Sequence, residues 1–256
     1  MPRVFIGVGH GGTDGGAVAN GLIEKDVNLN MALAMAEILK SNGIEVALSR
    51  SKDENDRLGE EIKECNSFTP DIAVEIHNNA GGGDGFEIYH QTNSNKEKSM
   101  KLAKAIEKRI IELGQNSRGL RTKLNGKTDW FGWLRENNCP SVICEGFFLD
   151  NIKDKEIADT LPEQQAFGKA YAMAVLDYFA IKAADKPTSK PPILQSTTKP
   201  DDNVAEKADD KATSKPDDKP TEKPIYKVQV GAFANKSNAE KLLKELKNKG
   251  YEGIIK

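Results

Sequence analysis

Up to residue 181 the chain alternates short apolar runs with longer amphipathic stretches, and this alternation restricts the fold more than any other feature. The strand-like runs are RVFIGVG (3–9), IEVALSR (44–50), DIAVEIH (71–77), GFEIYH (85–90) and SVICEGF (141–147). Helical periodicity marks DVNLNMALAMAEILKSNG (26–43), with Leu29, Leu33, Ala36 and Leu39 on one side and Gly43 as the stop. Further helices are predicted over about 54–67, 95–114 and 162–181. The pattern predicts an α/β fold with a mostly parallel, mixed, twisted sheet flanked by helices on both faces. Between the third and fourth runs there is only a Gly-rich link, too short for a helical crossover, so one antiparallel pairing is expected.

The composition changes after Lys182. Residues 183–224 hold seven of the eleven prolines, repeat TSKP and KPDD, and contain no aromatic residue. Such a stretch buries too little apolar surface to offset its ordering entropy and reads as a disordered linker. A strand pattern, IYKVQVGAF, and a helix pattern, NKSNAEKLLKELKNKG, follow. Three parts are therefore expected: a folded domain over 1–182, a linker over 183–224 and a small, incomplete α+β segment over 225–256.

Charge and cysteine content exclude several classes. Lys and Arg total 37 against 39 Asp and Glu, a net charge of −2 that argues against a nucleic-acid partner. The longest apolar runs are strand-length, so no membrane span is expected. MPRVFIGVG lacks the cationic region, apolar stretch and cleavage site of a signal peptide, which predicts synthesis in the cytoplasm without a secretion signal. Cys65, Cys139 and Cys144 form an odd set with no CxxC, as reduced thiols do.

The opening glycines, in GVGHGGTDGG, satisfy GxGxxG at Gly7, Gly9 and Gly12. A dinucleotide site needs a helix to start inside that run, and here TDGGAVANGLIEKD intervenes. Nor does an acidic residue close the second strand, which ends in Arg50. The histidine carries more information than the glycines. His10 follows the first strand, His77 ends the third, and Glu145 lies near the end of the fifth. In open α/β sheets such strand ends share one crevice. Two histidines and a carboxylate suit zinc with one position left open. Glu24, entering the first helix, is a second carboxylate, and spacing alone leaves open which of the two binds metal and which moves protons.

Taken together and in order, GHGGTDGGAVANGLIEKD, EIHNNA and PSVICEGFFLDN resemble the zinc-dependent N-acetylmuramoyl-L-alanine amidases of the amidase-3 family, over roughly residues 2–181. The resemblance implies that His10, Glu24 and His77 ligate Zn2+, one ion per domain, and that Glu145 is the catalytic acid/base. It also implies hydrolysis of the amide between N-acetylmuramic acid and L-alanine in peptidoglycan. Family members usually carry serine where this chain has Glu75, which either adds charge near the metal or points away. Asn79 and Asn151 match family positions, with orientation of ligands or substrate and turn formation as the two readings. Trp130 is a candidate for stacking on substrate, ahead of Trp133, and Arg57 and Arg135 are candidates for peptide carboxylates. His90 lies outside every motif.

The C-terminal KVQVGAFANKSNAEKLLKELKNKGYEGIIK resembles the start of a SPOR domain, a module associated with glycan strands, with only the first of its two halves expected. Peptidoglycan is the implied partner; this segment reads either as a contact to glycan strands or, at its length, as a disordered tail, and a monomer is expected. Action on the bacterial wall after holin release or lysis fits an endolysin; an autolysin or sporulation enzyme fits the same sequence. The rival readings are a zinc peptidase of the stem peptide and a non-catalytic wall-binding protein.

Overall fold

A computed structural model describes residues 1–183; the expected linker beyond that point and the segment 225–256 lie outside the described residues. In chain order the elements are β1 (Arg3–Val8), a hairpin of β2 (Val18–Ala19) and β3 (Leu22–Ile23), α1 (Glu24–Ser41), β4 (Glu45–Leu48), α2 (Leu58–Phe68), β5 (Ile72–Asn79), β6 (Phe86–His90), α3 (Lys96–Leu113), β7 (Ser117–Arg121), a hairpin of β8 (Leu124–Asn125) and β9 (Thr128–Asp129), α4 (Gly132–Glu136), β10 (Ser141–Phe148), α5 (Ile152–Lys155) and α6 (Leu161–Tyr178). Six strands form one sheet in the order β4-β1-β5-β10-β6-β7. The first four are parallel, β6 is antiparallel to β10, and β7 is parallel to β6.

The strands read as near-continuous apolar runs because both faces are covered. Val4, Ile6, Val8, Ile72, Val74, Ile76, Val142 and Cys144 face the layer of α1, α3 and α6, where Met31, Met35, Leu39, Ile106, Phe167 and Val175 complete the larger core. The intervening residues Phe5, Ala73 and Ile143 face α2 and α4 and pack with Ile62, Cys65, Trp133, Leu134 and Cys139. On this second face the apolar pattern fails toward the strand ends, where Gly7, Glu75, His77 and Glu145 take the inward positions. Cys65, Cys139 and Cys144 are buried and free.

The antiparallel strand predicted over 85–90 is present, but its neighbour is β10 rather than the adjacent-in-sequence β5. The late strand β10 inserts between them, a non-local pairing that no local pattern specifies. β7, SRGLR, has no alternating apolar face and so carries no local strand pattern; it occupies the sheet edge.

Helix α6 starts with a capping box between Thr160 and Glu163 and has a proline in its first turn. It crosses α1 at Gly168, where a Cβ would overlap the Met31 carbonyl oxygen and meet the Ala34 Cβ at 2.9 Å. Gly168→Ala is therefore expected to force the two helices apart and cost about 1–3 kcal/mol, read as a lowered Tm in thermal unfolding.

Candidate metal centre

The site is built at the carboxyl ends of the parallel strands. β1 ends at Val8, and the chain turns at once through His10, which adopts a left-handed backbone conformation with φ 62°. This uncommon conformation for a non-glycine residue turns the imidazole back over the sheet. Gly9 and Gly16 leave room for that turn. A Cβ on Gly9 would enter the His77 ring, and one on Gly16, itself at φ 64°, would sit 2.6 Å from both Glu24 Oε2 and His10 Cδ2.

Glu24 is the first residue of α1 and is 4% exposed. The β2–β3 hairpin delivers it there, turning at Asn20 (φ 52°) and Gly21 (φ 82°), an Asn-Gly pair suited to a tight hairpin. The Ala17 N–H donates to Glu24 Oε2 at 2.9 Å and the Asn78 N–H to Oε1 at 3.0 Å. Behind it, Asn28 donates to the Gly9 carbonyl at 2.9 Å and accepts from Asn78 Nδ2 at 2.7 Å, tying α1 to β1 and β5.

The two imidazoles meet on this carboxylate. His10 Nε2 lies 3.2 Å from Glu24 Oε2, and His77 Nδ1 lies 3.0 Å from Glu24 Oε1. Their rings stand edge to face, 4.9 Å between centroids and 86° between planes. His10 Nδ1 is held by Asp14 Oδ2 at 2.9 Å, a partner of the kind that fixes the tautomer of a metal-binding ring. One ligand atom from each of His10, Glu24 and His77 falls within 4.8 Å of the others. Two imidazole nitrogens and a carboxylate oxygen at this spacing suit a zinc-class cation with one coordination position open.

The electrostatics follow from burial and contact. Burial pulls the Glu24 carboxyl upward, but hydrogen bonds from His10 and His77 outweigh it and hold the group well below the usual carboxylate range. The hydrogen bond to Glu24 raises His10. Burial lowers His77, yet its contacts with Glu24 and Glu75 dominate and raise it well above an ordinary histidine. Glu145 is the Cα partner of His77 across the β5–β10 pairing, and the register shifts between it and Phe148. Burial pushes its carboxyl up to about 7, opposed by His77 and reinforced by the carboxylates of Glu24 and Glu87.

All four principal residues predicted from sequence thus stand at one strand-end cluster. The family profile described as N-acetylmuramoyl-L-alanine amidase matches residues 4–177, which include the entire cluster. The chain belongs to this amidase family. Along its full length it is 31% identical to the sporulation-specific N-acetylmuramoyl-L-alanine amidase of Bacillus subtilis (strain 168), covering 84% of that protein. It is 32% identical, again over its full length, to the N-acetylmuramoyl-L-alanine amidase CwlM of Bacillus licheniformis, covering 85% of it. Among solved structures, the catalytic domain of CwlV, an N-acetylmuramoyl-L-alanine amidase from Bacillus (Paenibacillus) polymyxa var. colistinus, superposes with a TM-score of 0.63 at 30% identity, covering 71% of this chain and all of that one. A SPOR domain profile matches residues 219–256. Among the described residues, no helix is long and apolar enough to cross a membrane.

The other residues singled out in this amidase-family sequence fall in different places. Trp130 is 51% exposed, with Lys123 Nζ 4.8 Å above its ring, whereas Trp133 is buried and donates its indole N–H to the Val142 carbonyl. Asn79 ends β5, and its Oδ1 accepts from the Ala80 N–H. Asn151 caps α5 and donates to the Gly83 carbonyl. Arg57 is exposed at the start of α2, and Arg135 binds the carbonyls of Asp129 and Trp130. His90 is buried on β6 with Nδ1 2.9 Å from the Gln91 carbonyl, away from the cluster. Asp14, Asn28 and Asn78 escaped sequence reasoning. Spacing to the candidate ligands is the signal that could reveal them: Asp14 lies four residues after His10, Asn28 four after Glu24, and Asn78 next to His77.

Proposed function

We propose that the chain hydrolyses the amide between N-acetylmuramic acid and L-alanine in bacterial cell-wall peptidoglycan, with zinc held by His10, Glu24 and His77. The observation that supports this most strongly is the cluster itself: two imidazoles on one buried carboxylate, next to a second carboxylate pushed up to about 7. Zinc bound there supplies Lewis-acid polarisation of the amide carbonyl and acidification of a water.

The chain's own residues do the remaining work. Contacts with His10 and His77 hold Glu24 well below the usual carboxylate range, so at neutral pH it is available as a ligand without prior loss of a proton. Glu145 takes the proton of the attacking water and delivers one to the departing alanine nitrogen, which leaves as an amine. A carboxyl near 7 exchanges a proton in either direction at neutral pH, as this double role requires. Trp130, exposed and backed by Lys123, offers an aromatic face to sugar or peptide. The SPOR-matched region at 219–256 supplies contact with glycan strands, and residues 1–182 form the catalytic domain.

Proton linkage gives a direct expectation. Contact with Glu24 pushes both histidines above the ordinary histidine value, and a metal needs their neutral rings. Zinc binding therefore releases protons, and affinity weakens as pH falls, by about tenfold per pH unit for each proton displaced. Calorimetry in buffers of different ionisation enthalpy measures that release directly.

The activity is tested by incubating the full chain with a muramyl peptide and, separately, with the same stem peptide lacking muramic acid. Cleavage of the first alone, with alanine as the new N-terminus, is expected. Cleavage of the free stem peptide would instead identify a peptidase.

A further inference from the structure

On the α2 side of the sheet, next to His77, two buried carboxyl groups face each other. Glu75 lies two residues before His77 on the same face of β5, is 3% exposed and brings Oε1 to 3.3 Å from His77 Nε2. Glu61, from α2, is 5% exposed. The two converge over Gly7, the Cα partner of Glu75 on β1. A Cβ on Gly7 would overlap the Glu75 carboxylate and meet Glu61 Oε1 at 2.7 Å. Gly7 therefore makes the space in which this pair is housed.

Glu75 Oε2 and Glu61 Oε1 are both sealed from water, and neither has a hydrogen-bond partner. Two anions so placed would repel in a poorly solvated interior, whereas one proton between them satisfies both oxygens. Burial, with Glu75 and Asp56 close by, pushes Glu61 well above the usual carboxylate range. Glu61 is thus placed to donate a hydrogen bond to Glu75. His77 is oriented to match: Nδ1 faces Glu24, and Nε2 faces Glu75.

We propose that Glu75 is a positioning residue for the metal centre: its carboxylate accepts the Nε2–H of His77 and fixes Nδ1 toward the cation, while the hydrogen bond from Glu61 anchors Glu75 from behind. This rests on the reading of His77 as a zinc ligand. Carboxylates behind ligand imidazoles set ring orientation and raise ligand basicity, and their loss typically costs about 10–100-fold in metal affinity.

The test measures zinc affinity of the full chain by competition with a chromophoric chelator, alongside the proton resonance of His77 Nε2–H in zinc-loaded, 15N-labelled protein. Glu75→Gln is expected to weaken zinc binding by about 10–100-fold and to move or lose that resonance. Glu61→Gln keeps a donor facing Glu75 and is expected to hold affinity within about threefold of the parent, far less than the 10–100-fold loss above. Glu75→Ser serves if the glutamine variant fails to fold, with the same loss expected. Zinc affinity and resonance unchanged in a folded Glu75 variant would overturn the proposal alone. Failure of the parent chain to bind zinc at all would overturn it together with the metal site.

Discussion

Glu145→Gln is expected to lower the rate of muramyl-amide cleavage by about 10²–10⁴-fold, the range associated with a positioned acid/base. The same variant should retain one zinc and an unchanged or slightly higher Tm. Glu145 is not one of the three groups whose atoms gather within 4.8 Å, so removing its charge leaves the ligand set intact. Its carboxyl is also held where burial disfavours ionisation, and a neutral amide of equal size relieves that penalty. Initial rates together with zinc content separate the two effects. Loss of metal along with activity would assign Glu145 to ligation, the alternative that sequence spacing leaves open.

Glu24→Ala should have the opposite signature, with zinc lost first and activity with it. The Glu24 carboxylate sits between two imidazoles and accepts from two backbone N–H groups. Outer partners of metal ligands cost about 10–100-fold in affinity, and removal of a ligand costs more. The backbone donors of Ala17 and Asn78 lose their acceptor in a buried setting, at about 1–3 kcal/mol for a group left unsatisfied. A zinc-binding titration and a thermal melt of the metal-free variant therefore both move, whereas Glu145→Gln moves neither in that direction. The contrast divides the two carboxylates by role.

Much of this site is legible in the sequence because α/β sheets concentrate function at strand ends. His10, His77 and Glu145 interrupt or terminate strand-like runs, where a polar residue is costly to bury without a partner. The pairing of roles between Glu24 and Glu145 is less legible. It depends on a hairpin, at Asn20-Gly21, that swings Glu24 under both imidazoles. That Asn-Gly pair is a local signal for a turn, but what the turn brings together is decided at His77, 53 residues beyond Glu24.

The sheet shows the same division. Each of the five strand patterns corresponds to a strand, since each is set by local apolar content. The order is not local: β10 enters between β5 and β6 through pairings more than fifty residues apart in sequence. Edge strand β7 escapes notice because SRGLR has little side-chain area to bury and is held by backbone pairing to β6. The orientation of Glu75 likewise follows from the third dimension. Its inward face is predictable from the two-residue repeat it shares with His77, but Glu61 comes from a helix, and the room for both comes from Gly7 on a neighbouring strand.

The most direct measurement titrates the metal-free full chain with zinc while following the release of N-terminal alanine from purified peptidoglycan. Release that rises in proportion to zinc and levels off at one equivalent, without new reducing sugar ends, is the predicted result. Release independent of zinc, or new amino ends other than alanine, would contradict a zinc amidase built on His10, Glu24, His77 and Glu145.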